Sequence, residues 1–94
     1  MEIEREDQGN SGYFKAVVDG REAGKMTYTR SGDNQITIDH TEVNSEYQGQ
    51  GVGKAMVEKS AEYARQENLK IRPQCSYAKK VMERTSDFDD VLQN

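Results

Sequence analysis

The hydrophobic pattern of this 94-residue chain changes its period at one place, the glycine-rich segment YQGQGVGK at residues 47–54. Before this segment, apolar and polar residues alternate, which is typical of strands with one buried face. After it, apolar residues recur at the spacing of an amphipathic helix. The pattern therefore predicts a sheet first and helices second, with the glycine turn between them.

Residues 1–43 predict an antiparallel meander of about four strands. Alternation runs through residues 13–18 and 23–30, and Asp19-Gly20 between them suits a tight type I′ hairpin turn. The segment SGDN at 31–34 marks a second hairpin, and Ile3 marks a short first strand. Unbroken alternation in the fourth strand would put Ile36, Ile38 and His40 on the apolar face, and Thr37, Asp39 and Thr41 on a polar face.

The second half of the chain predicts two helices around a short strand. The first helix has an apolar stripe that starts at Val52, and Asn68 is suited to the left-handed position after its last turn. A fifth strand is expected at residues 69–72, ended by Pro73. Ser76 is placed to cap a second helix, and Ser86 to cap a last short helical turn.

These elements predict one α+β domain over residues 1–94. We expect a mostly antiparallel sheet of about five strands, with two main helices and a short C-terminal helical turn.

Composition excludes several classes of function. The net charge is −4, whereas a nucleic-acid-binding surface needs a basic face. No apolar run approaches the length of a membrane span, and the N-terminus lacks the pattern of a signal peptide. A single cysteine and a single histidine cannot build a disulfide or the usual zinc site. We therefore expect a cytoplasmic protein whose partners include neither nucleic acid nor a membrane, and no bound metal.

Two familiar glycine motifs do not match the turn. A Walker A loop would need glycine where Gln48 stands and serine or threonine where Ala55 stands. A dinucleotide fingerprint that starts at Gly49 and Gly51 would need a third glycine where Lys54 stands. Both nucleotide readings are therefore rejected.

The spacing Gln48-x-x-Gly51-x-Gly53 resembles the acyl-CoA pyrophosphate loop of the GCN5-related N-acetyltransferases. The resemblance covers most of the chain: a strand that ends in HTEV at 40–43, the glycine turn, a helix, a short strand and another helix. It implies a minimal version of that family's fold, which uses acetyl-CoA or coenzyme A.

Physical chemistry agrees with this resemblance. A helix N-terminus offers unpaired N–H groups and about half a positive charge, and glycines let a diphosphate reach them. The alternative is that the glycines only make a tight loop. The resemblance assigns these residues to the cofactor: Val43, Gln48, Gly49, Gln50, Gly51, Val52, Gly53 and Lys54.

The resemblance also implies that the pantetheine arm lies between the fourth and fifth strands, near His40 and Glu42. Either side chain could act as general base, and a bulge in the strand would change which of them faces the cofactor. The alternatives are a partly buried strand histidine and a solvated carboxylate. Tyr77 resembles the tyrosine that protonates the leaving thiolate in many family members, and it could instead be a helix residue packed on the sheet.

Cys75 precedes the expected second helix, a position that lowers the pKa of a thiol. Its thiolate could accept the acyl group from the cofactor and pass it on, or Cys75 could be an inert apolar residue. The segment PQCSYA at 73–78 also resembles a small subclass of these acetyltransferase-like domains.

The chain lacks the length for the helices that family members place between their first two strands. The leading hypothesis is an acyltransferase that moves an acetyl group from acetyl-CoA to an unidentified amine, on a small molecule or a protein. The alternative is a non-enzymatic acyl-CoA-binding module, and a third is an interaction domain with a vestigial loop. The open polar sheet face is expected to be solvated or to bind a protein partner.

Overall fold

The computed structural model describes residues 1–93, which form one five-stranded sheet with two helices on one of its faces. The strands are β1 (Glu2–Asp7), β2 (Ser11–Val18), β3 (Arg21–Arg30), β4 (Gln35–Val43) and β5 (Lys70–Pro73). The helices are α1 (Val52–Glu67) and α2 (Ser76–Glu83), and two short 3₁₀ turns lie at Ser45–Tyr47 and Ser86–Phe88. The predicted α+β fold is confirmed, including its short C-terminal turn.

The sheet order follows the chain, β1-β2-β3-β4-β5, with antiparallel pairing except between β4 and β5, which are parallel. The hairpin between β2 and β3 turns at Asp19 and Gly20, whose φ angles of 51° and 78° are both positive, as a type I′ turn requires. Asn68 ends α1 with φ 55° and ψ 45°, so its predicted left-handed conformation is confirmed.

Two predicted caps are wrong by one residue. Cys75, and not Ser76, occupies the position before α2, because the extended backbone continues through Cys75 (ψ 127°). Thr85, and not Ser86, caps the last turn, where its hydroxyl accepts a hydrogen bond from the backbone N–H of Asp87 at 3.3 Å. The fifth strand likewise runs from Lys70 to Pro73, one residue later than expected.

The core lies between the sheet and the two helices. Its largest fully buried side chains come from every layer: Phe14, Met26, Tyr28, Ile36, Ile38, Met56, Ile71 and Met82. The opposite sheet face carries mostly polar and charged side chains, and the described residues put no helix over it. Among residues 1–93, no helix combines the length and the apolar character needed to cross a membrane.

A bulge in β4 changes which side chains face the helices. Tyr28 pairs with Ile38 and Thr27 pairs with His40, so Asp39 is an extra residue. One extra residue inverts the alternation, because side chains alternate with a period of two. The expected shared face of Ile36, Ile38 and His40 is therefore wrong beyond Ile38: the two isoleucines are fully buried, whereas His40 is exposed.

The pairing of β4 with β5 stops at Ile38 and Pro73. The backbone N–H groups of Gln74 and Cys75 then both donate to the carbonyl of Ile38, at 3.0 and 3.2 Å, and the chain turns into α2. Within the described chain, residues 40–43 of β4 thus pair with β3 alone. The result is a gap beside β4 at the end of the sheet where α1 and α2 begin.

Candidate functional site

The glycine turn leaves the N-terminus of α1 without a side-chain cap from residues 1–93. Gly49 and Gly51 have φ angles of 82° and 77°, a left-handed conformation that is strained for other residues. Gly51 is also the residue before α1, and no side chain of the described residues caps that end of the helix. The first-turn N–H groups therefore lack intrahelical acceptors and are available to an anion.

Gly53 makes a close contact with Tyr77. A Cβ atom built on Gly53 would lie 2.6 Å from ring carbons of Tyr77, much closer than side chains tolerate. Tyr77 thus packs against the first turn of α1 and remains 40% exposed. The third glycine of the motif therefore lets a side chain from α2 lie against the helix start.

A groove of about 450 Å³ runs from this helix start to β4, within the size range of small-molecule sites. Six of the eight predicted cofactor residues line it: Val43, Gln48, Gly49, Gly51, Val52 and Gly53. The side chains of the other two point elsewhere. Gln50 donates to the Glu46 carbonyl at 3.5 Å, and Lys54 lines a neighbouring cleft.

Two groove residues were not among the site residues named from the sequence. Tyr47 lies directly before Gln48, so its place next to the motif was an available signal. Thr41 reaches the groove only because the bulge at Asp39 turns it, with Val43, towards the helices. No local pattern in the sequence indicates this bulge.

Cys75 lies next to the groove and is half-buried before the first residue of α2. Its thiol donates to the Thr41 hydroxyl, with Sγ and Oγ1 3.4 Å apart. Burial by itself raises the pKa of Cys75, but the Thr41 hydroxyl and the backbone N–H groups of Ala78 and Tyr77 outweigh burial and lower it.

His40 and Glu42 lie on the opposite, open face of the sheet. Their side chains are 65% and 75% exposed, and His40 Nε2 is 3.0 Å from Glu42 Oε1. The structure thus brings Thr41, Cys75 and Tyr77 to the groove side of β4, and pairs His40 with Glu42 on the other side. Residues 1–93 contain no group of three or more His, Cys, Asp or Glu side chains that could hold a metal ion.

Comparison with known proteins identifies the family. A family model described as GCN5-related N-acetyl-transferase matches residues 13–91. The chain therefore belongs to the GCN5-related N-acetyltransferase family. A search of curated proteins found no match.

Solved structures agree with this assignment. An NMR structure from Staphylococcus aureus, described as a GCN5-like N-acetyltransferase, is 36% identical, with 97% of this chain and 88% of that chain covered and a TM-score of 0.72. A ribosomal-protein-alanine N-acetyltransferase from Brucella melitensis shares the fold at 21% identity, with 82% and 62% covered and a TM-score of 0.72.

A third structure, from Bacillus anthracis, is described as a streptothricin acetyltransferase in complex with acetyl coenzyme A. It shares the fold at 21% identity, with 69% of this chain and 38% of that chain covered and a TM-score of 0.60.

Proposed function

We propose that this chain is a single cytoplasmic domain over residues 1–94 that binds acetyl-CoA in the groove and transfers the acetyl group to an amine. The observation that carries the proposal is the groove itself, which joins the uncapped start of α1 to the gap beside β4. Membership of the family supports the same donor, and the Bacillus anthracis neighbour was crystallised with acetyl coenzyme A.

The groove residues fit the donor in two parts. The N–H groups of Val52, Gly53 and Lys54 would bind the diphosphate at the positive end of the helix dipole. In a chain of net charge −4, this local set of donors must outweigh unfavourable long-range repulsion. Thr41 and Val43 would line the uncharged pantetheine arm, because the edge of β4 beside them lacks a strand partner among residues 1–93.

We propose that the acetyl group passes through Cys75. The Cys75 thiolate attacks the thioester carbonyl, a carbon–sulphur bond to Cys75 forms, and the bond to the coenzyme A sulphur breaks. Tyr77 is the proposed donor of the proton to the leaving thiolate. The lowered pKa of Cys75 and its contact with groove residue Thr41 support this role. The assignment to a subclass with the P-x-C-x-Y-A segment belongs to the same proposal.

The second step needs a base for the incoming amine. His40 and Glu42 are the proposed candidates, for an amine that reaches the gap from the open sheet face. Glu42 accepts a hydrogen bond from His40 when Nε2 carries the proton, and this contact orients the imidazole. The amine attacks acetyl-Cys75, gives a proton to the base, and Cys75 leaves as a thiolate. That proton returns to Tyr77 through solvent, which completes the cycle.

The alternative function is acyl-CoA binding without turnover. One observation favours it: β1 and β2 are joined by only residues 8–10, so the helices that could form an acceptor pocket over the open face are absent from the described chain. In such a module, the open sheet face would bind a protein partner.

Isothermal titration with acetyl-CoA tests both functions, and a ligand at about 100 times its Kd should also add roughly 2.7 kcal/mol to the free energy of unfolding. Undetectable binding at roughly millimolar ligand would refute both. An acceptor screen that measures release of free coenzyme A then separates them. Polyamines, aminoglycosides, amino acids and lysine peptides cover the main amine classes, and binding without release would favour the non-enzymatic module.

A further inference from the structure

A second cleft adjoins the groove on the far side of Tyr77. It has a volume of about 290 Å³ and lies between α1 and α2. Tyr77 lines both spaces, and two consecutive residues at the start of α1 divide between them: Gly53 lines the groove and Lys54 the cleft. A ligand seated on the first turn of α1 could therefore extend past Tyr77 into the second cleft.

Three cations line this cleft: Lys54, Lys80 and Arg84. In the part of the chain that the structure describes, none of them forms an ion pair within 4.0 Å. Two carboxylates, Glu58 and Asp87, line the cleft as well and also make no such pair. The cleft thus has a local excess of uncommitted positive charge in a protein whose net charge is −4.

Part of the cleft lining is apolar and aromatic. Val81 and Phe88 are 8% and 4% exposed, and the ring of Tyr77 forms the wall shared with the groove. A flat aromatic base can lie on such a surface, while the cations of the same cleft can bind a phosphate. This combination suits a purine nucleotide that carries a phosphate monoester.

We propose that the cleft binds the 3′-phosphorylated adenosine end of coenzyme A, with Lys80 and Arg84 on the 3′-phosphate. The inference rests on the proposed function, which puts the diphosphate at the start of α1. The two arms of coenzyme A leave the diphosphate at opposite ends. The uncharged pantetheine arm suits the groove towards Thr41, and the arm whose phosphate carries about two negative charges at neutral pH suits the cationic cleft. Lys80 and Arg84 thus determine specificity for the phosphorylated cofactor.

The first test compares coenzyme A with dephospho-coenzyme A, which lacks only the 3′-phosphate. By isothermal titration, we expect the wild-type protein to bind dephospho-coenzyme A about tenfold more weakly. The difference should shrink as salt is raised, because exposed charges are screened. Equal affinities would overturn this inference and leave the proposed function standing. No binding of either compound would overturn the proposed function and this inference with it.

The second test assigns the discrimination to residues. The variant Lys80→Gln/Arg84→Gln should bind coenzyme A about tenfold more weakly and bind both compounds with nearly equal affinity. The control Lys79→Gln/Arg72→Gln removes the same charge from side chains that line a different cleft, and it should keep the wild-type ratio.

A Lys80→Gln/Arg84→Gln protein that still discriminates would overturn the assignment. An equal loss of affinity for both compounds would overturn it as well, because it would mean that these cations contact the diphosphate, which both compounds carry. Circular dichroism reports whether each variant folds, and the wild-type comparison decides the proposal even if one does not.

Discussion

The two faces of β4 differ in what they contain and in how they are built. The helix side carries buried isoleucines and, further along the strand, Thr41, which contacts Cys75 beside the groove. The open side carries the exposed pair His40 and Glu42. One extra residue, Asp39, decides which side chain goes to which side. The difference teaches that the site depends on a local irregularity in strand pairing more than on the residue types along the strand.

The largest expected effect tests the bulge through stability. Ile38→Ala should lower the free energy of unfolding by about 2–5 kcal/mol, because a fully buried side chain is removed. His40→Ala should change it by less than about 0.5 kcal/mol, since the side chain is solvated. Urea unfolding of both variants measures the two values. A loss of unfolding free energy for His40→Ala that approaches the loss for Ile38→Ala would mean that His40 is buried and that the alternation in β4 continues unbroken.

The next effect tests the chemistry on the groove side. Cys75→Ala should lower acetyl transfer by at least about 100-fold while acetyl-CoA affinity stays within about threefold, because the sulphur is proposed to react and not to hold the donor. Mass spectrometry after incubation with acetyl-CoA should find one acetyl adduct on the wild-type protein. The same adduct on Cys75→Ala would refute the relay, and the acceptor would then have to attack directly with a base from the open face.

A third prediction concerns the glycine turn that lines the groove. Gly51→Ala should weaken acetyl-CoA binding by about tenfold, because a residue with φ 77° distorts the donors when it gains a side chain. Gly32→Ala is the matched control, since Gly32 has φ 78° and the space around both glycines is open. Both variants should lose roughly 1 kcal/mol of stability, and only Gly51→Ala should lose affinity. If titration gives the two variants equal affinities for acetyl-CoA, the glycine turn does not contribute to cofactor binding.

The smallest effect concerns the Thr41 hydroxyl. Thr41→Val should raise the pKa of Cys75, because the hydroxyl stabilises the thiolate, and burial would then act with less opposition. The rate of alkylation by iodoacetamide at neutral pH should fall by about three- to tenfold, with its pH midpoint moved upwards. Thr37→Val is the control, because that hydroxyl contacts Ser31, 3.2 Å away. An unchanged alkylation profile would mean that Thr41 does not tune the thiol.

Much of the fold could be predicted because the signals are local. The hairpin at Asp19-Gly20 and the end of α1 at Asn68 depend on residues that tolerate positive φ. The predicted caps at Ser76 and Ser86 were wrong because the extended backbone continues through the preceding residue in each case, Cys75 and Thr85. A capping residue can be recognised by its type, but its position depends on where the chain leaves the sheet.

The site could be predicted only in part for a similar reason. Most of the glycine turn lines the groove, as its spacing indicates, whereas Tyr47 and Thr41 line it without having been named as site residues. His40 and Glu42 were candidates by chemistry, and the structure separates them from the groove by the backbone of β4.

The sequence by itself determined the order of strands and helices, the conformation of the turns, and the run of glycines that leaves a helix N-terminus uncapped. These features need only neighbouring residues, because they follow from backbone freedom and hydrophobic period. Tertiary structure decided the bulge at Asp39, the contact of Cys75 with Thr41 and the packing of Tyr77 against Gly53. Each of these brings together residues from distant parts of the chain, and only the packed sheet and helices fix their register.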